Sequence, residues 1–355
     1  MTYRLGSGAW IGIGEESTYG TAVAPSVFYQ PRPGDEDLSL VYDVIEVDQL
    51  TSGRGILLES QQKGKRRVEG TLTQVLRYES TMFPFLLSHL LQEDAADAGS
   101  DPYYHDWTFA YTSAMAAKGL TIASYRDGDI GSKAADYPRQ FKGCRPTALE
   151  LSFEDNSVVT AAWTITGQDA DWCDGSSITP AYATDQYMML PSQLASPVAF
   201  CRIDFNRSDP DTGLSSSNDI KCRSGSIRIE QEFEDTGSLQ DAVYAGLRYN
   251  GRLMITGSLE LEFQGTGTTG DDISKAYINQ ELAHIRLGLQ GAAVDSKARS
   301  LTIDLHSCMA TSAAEPHASE VGTIYQSLEF RATRVVGEAS GTEGGISLTN
   351  STATV

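Results

Sequence analysis

Basic residues are scarce: 27 lysines and arginines stand against 47 aspartates and glutamates, a formal net charge of −20 over 355 residues. A surface so one-sided repels nucleic acid rather than gripping it. Cysteine is scarcer still: Cys144, Cys173, Cys201, Cys222 and Cys308 are odd in number, widely spaced and never in a CxxC pair. That excludes a disulfide framework and the paired-cysteine zinc sites, and a reducing compartment fits. No apolar run approaches the ~18 residues of a membrane helix, and MTYRLGSGAW lacks a basic region leading into an apolar one. The expectation is a chain made and folded in a cytoplasm, with no membrane contact. The glycosylation-like triplets at Asn206 and Asn350 are then fortuitous.

Signatures of chemistry are missing as well. The sequence contains no GxxxxGK[ST], GxSxG or HExxH pattern. The stretch WIGIGEESTYGTAVAP (10–25) begins like a dinucleotide fingerprint, with Gly12 and Gly14, but Ser17 occupies the third glycine position. No long amphipathic helix follows to aim its N-terminus at a pyrophosphate. Histidines 89, 105, 284, 306 and 317 stand singly, the nearest approach to a ligand pair being His306 two residues from Cys308. They read as solvated or core-edge side chains. Glu150 with Glu154, or Glu260 with Glu262, could be cast as the acid and base of a glycosidase. Carboxylates recurring on strand after strand are instead what a solvated sheet presents, so neither an enzyme nor a cofactor or metal is expected.

What the sequence does contain is glycine, 33 residues of it, and short runs of period-two alternation. Successive side chains of a strand face opposite sides, so such runs predict antiparallel β structure. The clearest are ALELSFE (148–154), SIRIEQEFE (226–234), SLELEF (258–263), SLTIDL (300–305) and SLEFRAT (327–333). Leu149, Leu151 and Phe153 should enter a core while Glu150, Ser152 and Glu154 face out. Arg228, Glu230, Glu232 and Glu234 share one face, and Glu260 and Glu262 another.

Two helices are predicted. STMFPFLLSHLLQED (80–94) has a Ser/Thr start and a clustered apolar face, and DDISKAYINQELAHIRL (271–287) opens on an Asp pair suited to an N-cap. Each follows a similar strand, Val68-Glu69-Gly70-Thr71-Leu72 in one case and Ile255-Thr256-Gly257-Ser258-Leu259 in the other. Each precedes an alternating strand and then a longer one. A duplicated β unit is the economical reading, with a first domain at 1–180, a second at 181–335 and a small-residue C-terminal arm at 336–355. The polar segment 50–67 reads as a loop carrying the main basic cluster, Lys63, Lys65, Arg66 and Arg67. The C-terminal tail offers its own domain no periodic apolar face and so suits contact with a neighbour, and the basic cluster suits a solvated hairpin or a contact with an acidic neighbouring subunit.

Several of these stretches together resemble the tail tube (major tail) proteins of long-tailed, non-contractile bacteriophages. The resemblance rests on Trp10, Gly12, Ile13, Gly14, Glu16, Tyr19, Gly20, Thr21, Val23 and Pro25. It continues through Arg66, Arg67, Val68, Glu69, Gly70, Leu72 and Thr73, then GCRPTALELSF (143–153), ITGSLELEF (255–263) and LTIDL (301–305). It implies a mainly β, antiparallel sandwich or barrel with short flanking helices, whose subunits form rings stacked around a β-barrel channel. Such rings are six-fold, or three-fold where the unit is duplicated. The implied function is a structural virion protein that conducts DNA into the host. The implied partners are copies of the chain, a tape measure protein, a tail terminator and baseplate proteins, with DNA passing through unbound. Glu150, Glu154, Glu230, Glu232, Glu234, Glu260 and Glu262 are then candidates for the lumen wall. Lys63, Lys65, Arg66, Arg67, Gly337, Glu338 and Glu343 are candidates for contacts between subunits or rings. Another β-rich tail component, or a soluble carbohydrate-binding or carbohydrate-cleaving β protein, is the alternative.

Overall fold

The fold comes from a computed structural model, which describes residues 9–46, 61–91, 96–98, 103–109, 118–125, 139–173, 178–181, 188–189, 199–205, 214, 219–236, 243, 246–262, 270–294, 297–313, 324–332 and 344–350. The alternating runs are strands, as their period requires. The first half of the chain supplies β1 (Trp10–Glu15), β2 (Val27–Tyr29), β3 (Ser39–Glu46), β4 (Gln61–Val75), α1 (Met82–Leu91), β5 (Ala96–Ala98), β6 (Tyr103–Thr108), β7 (Leu120–Tyr125), β8 (Arg139–Glu154), β9 (Thr160–Gly167) and β10 (Asp169–Trp172). The second supplies β11 (Ala199–Asp204), β12 (Asp219–Ile220), β13 (Cys222–Thr236), β14 (Gly246–Glu262), α2 (Gly270–Asn279), β15 (Leu282–Val294), β16 (Lys297–Ala313), β17 (Tyr325–Ala332) and β18 (Gly344–Asn350).

Pairing among these strands is antiparallel and follows one order twice. In the first half it runs β2–β1–β7–β8–β9–β4–β3, with β10 also on the start of β8. In the second it runs β12–β11–β15–β16–β17–β14–β13, with β18 also on β16. The irregularities coincide too. Register shifts between Leu120 and Ile122, Pro146 and Ala148, and Tyr42 and Val44 have counterparts between Ala283 and Ile285, Ala310 and Ser312, and Gln231 and Phe233. Gly70 faces Ile165 as Gly257 faces Phe330, and in that register Cys144 falls where Cys308 does, both wholly buried. Bulges are specific features of a ladder, so three at corresponding places are a strong structural likeness.

One apolar core runs through both halves. Two sheet joints connect them: β13 lies on the second part of β8, with Ile227 opposite Leu151 and Ile229 opposite Leu149, and β6 lies on β18, with Trp107 opposite Ile346. A buried ion pair, Arg299 with Glu79, crosses between halves, and Asn350 donates to the Tyr78 carbonyl at 3.1 Å.

Three sequence expectations need correction. The second helix ends at Asn279 instead of running on to 287. Gln280 adopts φ 57°, the left-handed stop of a helix C-terminus, and Ala283, Ile285 and Leu287 then alternate into the core as β15. Residues 61–67 are not loop but the first half of β4, paired with β3. The C-terminal tail does have a packing face over 344–350: β18 sits between β16 and β6, with Ile346 and Leu348 buried. The first helix keeps its place, with the Ser80 hydroxyl accepting from the Phe83 amide.

Candidate functional site

The lumen candidates converge because β8, β13 and β14 are neighbours. Parity puts Leu149 and Leu151, Ile227 and Ile229, and Ile255, Leu259 and Leu261 inward, all buried. The intervening residues form one polar face. Arg228 lies opposite Glu150 on one side and Thr256 on the other, Ser226 opposite Ser152 and Ser258, and Ser224 opposite Glu154 and Glu260. Glu150, Glu154, Glu230, Glu232, Glu234, Glu260 and Glu262 all reach this surface, none of them buried. The face continues through β17, where Ser327, Glu329 and Arg331 extend the same rows, and through β9 and β4.

Few cations offset these acids. Arg228 bridges Glu150 at 3.7 Å and Glu230 at 3.0 Å, Arg223 approaches Glu260 at 3.6 Å, and Lys221 meets Glu262 at 3.0 Å. Sequence reading put Arg228 on this face but could not see that one guanidinium serves two strands. With Glu329 and Arg331 of β17 included, eight glutamates meet four cations among the described side chains of this face over β8, β13, β14 and β17, and this part of the face stays acidic.

Two strand edges flank this sheet. On β8, β7 takes Arg139–Cys144 and β13 takes Ala148–Glu154 along one side. On β16, β15 reaches only Met309, so Ala310–Ala313 has β17 on one side and no partner strand on the other among the described residues. Likewise β3 pairs with β4 and, among the described residues, with no strand along its outer side.

The basic cluster sits beside β3. Arg66 binds Asp169 at 2.8 Å, Arg67 pairs with Glu69 and lies 3.5 Å from Asp43, and Lys63 stands 4.6 Å from the centre of the Tyr42 ring. Much of its charge is thus met within the chain. Beside it Val44 and Ile45 are 65% and 57% exposed, an apolar pair at the far end of the hairpin. Gly337, Glu338 and Glu343 lie outside the described residues.

The opening motif builds a turn, not a phosphate loop. Gly14 lies against the returning chain, where an added Cβ would come within 2.6 Å of the Ala24 carbonyl. Glu16 is fully buried. Its carboxylate accepts from the Gly20 amide at 2.7 Å, the Gly143 amide at 2.8 Å and the Thr121 hydroxyl at 2.9 Å. Gly20 takes φ 77°, and Val27–Tyr29 pairs back on β1, so the segment after Pro25 belongs to this chain's own sheet.

The histidines hold one surprise. His284 and His306, on β15 and β16, meet at Asp304, their ligating atoms all within 4.8 Å, while Cys308 is buried away from them. His284 lies 2.6 Å from Oδ1, and Arg286 grips Oδ2 through Nε and Nη2 at 3.0 and 2.6 Å. The carboxylate therefore already carries a full cation, which marks a hydrogen-bonded network rather than a metal centre. Burial would raise the Asp304 pKa, but hydrogen bonds from His284, His306 and Arg286 outweigh it and hold the carboxyl far below the usual carboxylate range. The grouping is invisible in sequence because it depends on the β15–β16 register.

Fold and surfaces define an antiparallel β protein whose distinctive features are an acidic sheet face over β8, β13, β14 and β17 and the strand edges beside it. It belongs to the phage tail tube protein family, whose model matches residues 6–332. The chain is thus a structural tail tube protein of a bacteriophage virion. No curated protein matches it.

Proposed function

We propose that the chain closes into rings by strand addition, and that the rings stack into a tube conducting phage DNA into the host. The observation that carries this reading is the likeness between one internal joint and two edges. Within the chain, β13 lies on the second part of β8. At the corresponding places β3 and the end of β16 lack a described partner. Laying β3 of one chain on β16 of the next sets Leu40 opposite Ala313 and Val41 opposite Ser312, as Ile229 faces Leu149 and Glu230 faces Ala148 inside the chain. The sheet order β3–β4–β9–β8–β13–β14–β17–β16 then continues from chain to chain, and a closed barrel has no exposed edge.

In this reading the chain is two tube units, 1–180 and 181–335, with 344–350 completing the second. Three chains then make a ring of six units. The glutamate face lines the lumen, where repulsion of phosphates lets DNA slide without binding. The β3–β4 hairpin, with Val44, Ile45 and Lys63, faces the next ring. Such a tube is assembled in the host cytoplasm around a tape measure protein, is closed by terminator and baseplate proteins, and serves a long non-contractile tail. Electron microscopy of the purified protein at rising concentration tests this reading. Stacked hollow tubes are expected; a strict monomer at every concentration contradicts it.

A further inference from the structure

A cavity of about 470 Å³ opens where β8 of the first half meets the strands of the second. Leu151 and Phe153 of β8, Leu287 and Leu289 of β15 and Ile303 of β16 form much of its wall, and Cys201 and Cys222 lie together on it. Cys201 faces Ile220 across the β11–β12 ladder. Cys222 lies two residues beyond Ile220, which returns it to the same side. The ladder register and the shared cavity wall place the two thiols side by side, and Cys222 donates to the Ser224 carbonyl at 3.2 Å. Cys201 is 4% exposed and Cys222 half-buried, so the cavity is the route by which a small solute reaches both.

We propose that Cys201 and Cys222 are a modification site, a thiol pair that hydrogen peroxide entering this cavity converts into a disulfide between β11 and β13. The roles are unequal. Cys222 is the more exposed of the two, and the neighbouring Cys201 lowers its pKa despite burial, whereas Cys222 and burial push Cys201 up. Cys222 is therefore the nucleophile. Its thiolate attacks one peroxide oxygen, forming an S–O bond as the O–O bond breaks, and the departing hydroxide takes up a proton to leave as water. Cys201 then gives up its proton and attacks the Cys222 sulfur. The S–S bond forms, the S–O bond breaks, and a second water departs. Overall two thiols are oxidised and one peroxide is reduced to two waters. Cys144 and Cys308 are outside this chemistry, being wholly buried in the core. The product is a cross-link suited to a particle that leaves a reducing cytoplasm for an oxidising exterior, where disulfides persist.

The test treats folded wild-type protein with hydrogen peroxide, quenches it, and counts thiols after denaturation. The count is expected to fall from five by two, peptide mapping should join the peptides bearing 201 and 222, and dithiothreitol should restore the original count. In C201S, Cys222 should stop at a sulfenic acid trapped by a dimedone probe. In C222S, Cys201 should stay unmodified. An unchanged wild-type count, a bond to another cysteine, or a disulfide between chains on a non-reducing gel overturns the proposal.

Discussion

Among single residues, Glu16 shows most clearly how a motif can mislead. A glutamate between GIG and YGT suggests ligand binding, yet its carboxylate is enclosed and ties three chain segments through Gly20, Thr121 and Gly143. Nothing in the sequence joins 16 to 121 or 143, so the role was legible only as a turn. Glu16→Ala leaves buried donors unsatisfied and is expected to lower stability by roughly 3 kcal/mol in urea unfolding; an unchanged midpoint would show that the turn does not depend on it. Asp304 gives a pH-dependent counterpart. Because its folded pKa is depressed, its contribution is complete above the unfolded carboxylate value of about 4 and is lost as pH falls below it. Asp304→Asn should therefore destabilise the protein at neutral pH, with the gap from wild type narrowing in stronger acid. A gap of equal size at pH 7 and pH 3 would contradict this.

At the scale of elements, alternation exposed most of the sheet. The runs at 148–154, 226–234 and 300–305 lie within β8, β13 and β16, with Leu149 and Leu151 buried as parity requires. It failed where two periods adjoin. In 282–287 the residues Ala283, Ile285 and Leu287 follow directly on a helical pattern and were absorbed into it, since only the backbone of Gln280 marks the break. It failed again at β18, where the glycines of 344–345 hide a short strand. There Gly345 lies so close to β6 that a Cβ would come within 2.3 Å of the Trp107 carbonyl. Ile346 is fully buried between β16 and β6. Ile346→Ala is expected to cost ~2–5 kcal/mol, as core truncations do, whereas a free arm would lose nothing; thermal unfolding of the isolated chain distinguishes them.

For the molecule as a whole, sequence parity gathered the glutamates strand by strand, but their union on one surface needed β13 to lie on β8, a contact between halves that no local pattern encodes. In the proposed ring the same joint is the template for closure. If the shared face lines the lumen, replacing Glu150, Glu230 and Glu260 together by lysine should leave tubes visible by electron microscopy while sharply reducing infectivity, because cations would hold the phosphates they now repel. Undiminished infectivity would place that face outside the channel. The most direct measurement of the central claim is oxidative cross-linking of a Val41→Cys, Ser312→Cys double variant under assembly conditions. Ring closure by strand addition predicts covalent dimers and then trimers on a denaturing non-reducing gel, no cross-link in either single variant, and no growth beyond the trimer. A double variant that assembles into tubes yet forms no cross-link between chains would contradict it.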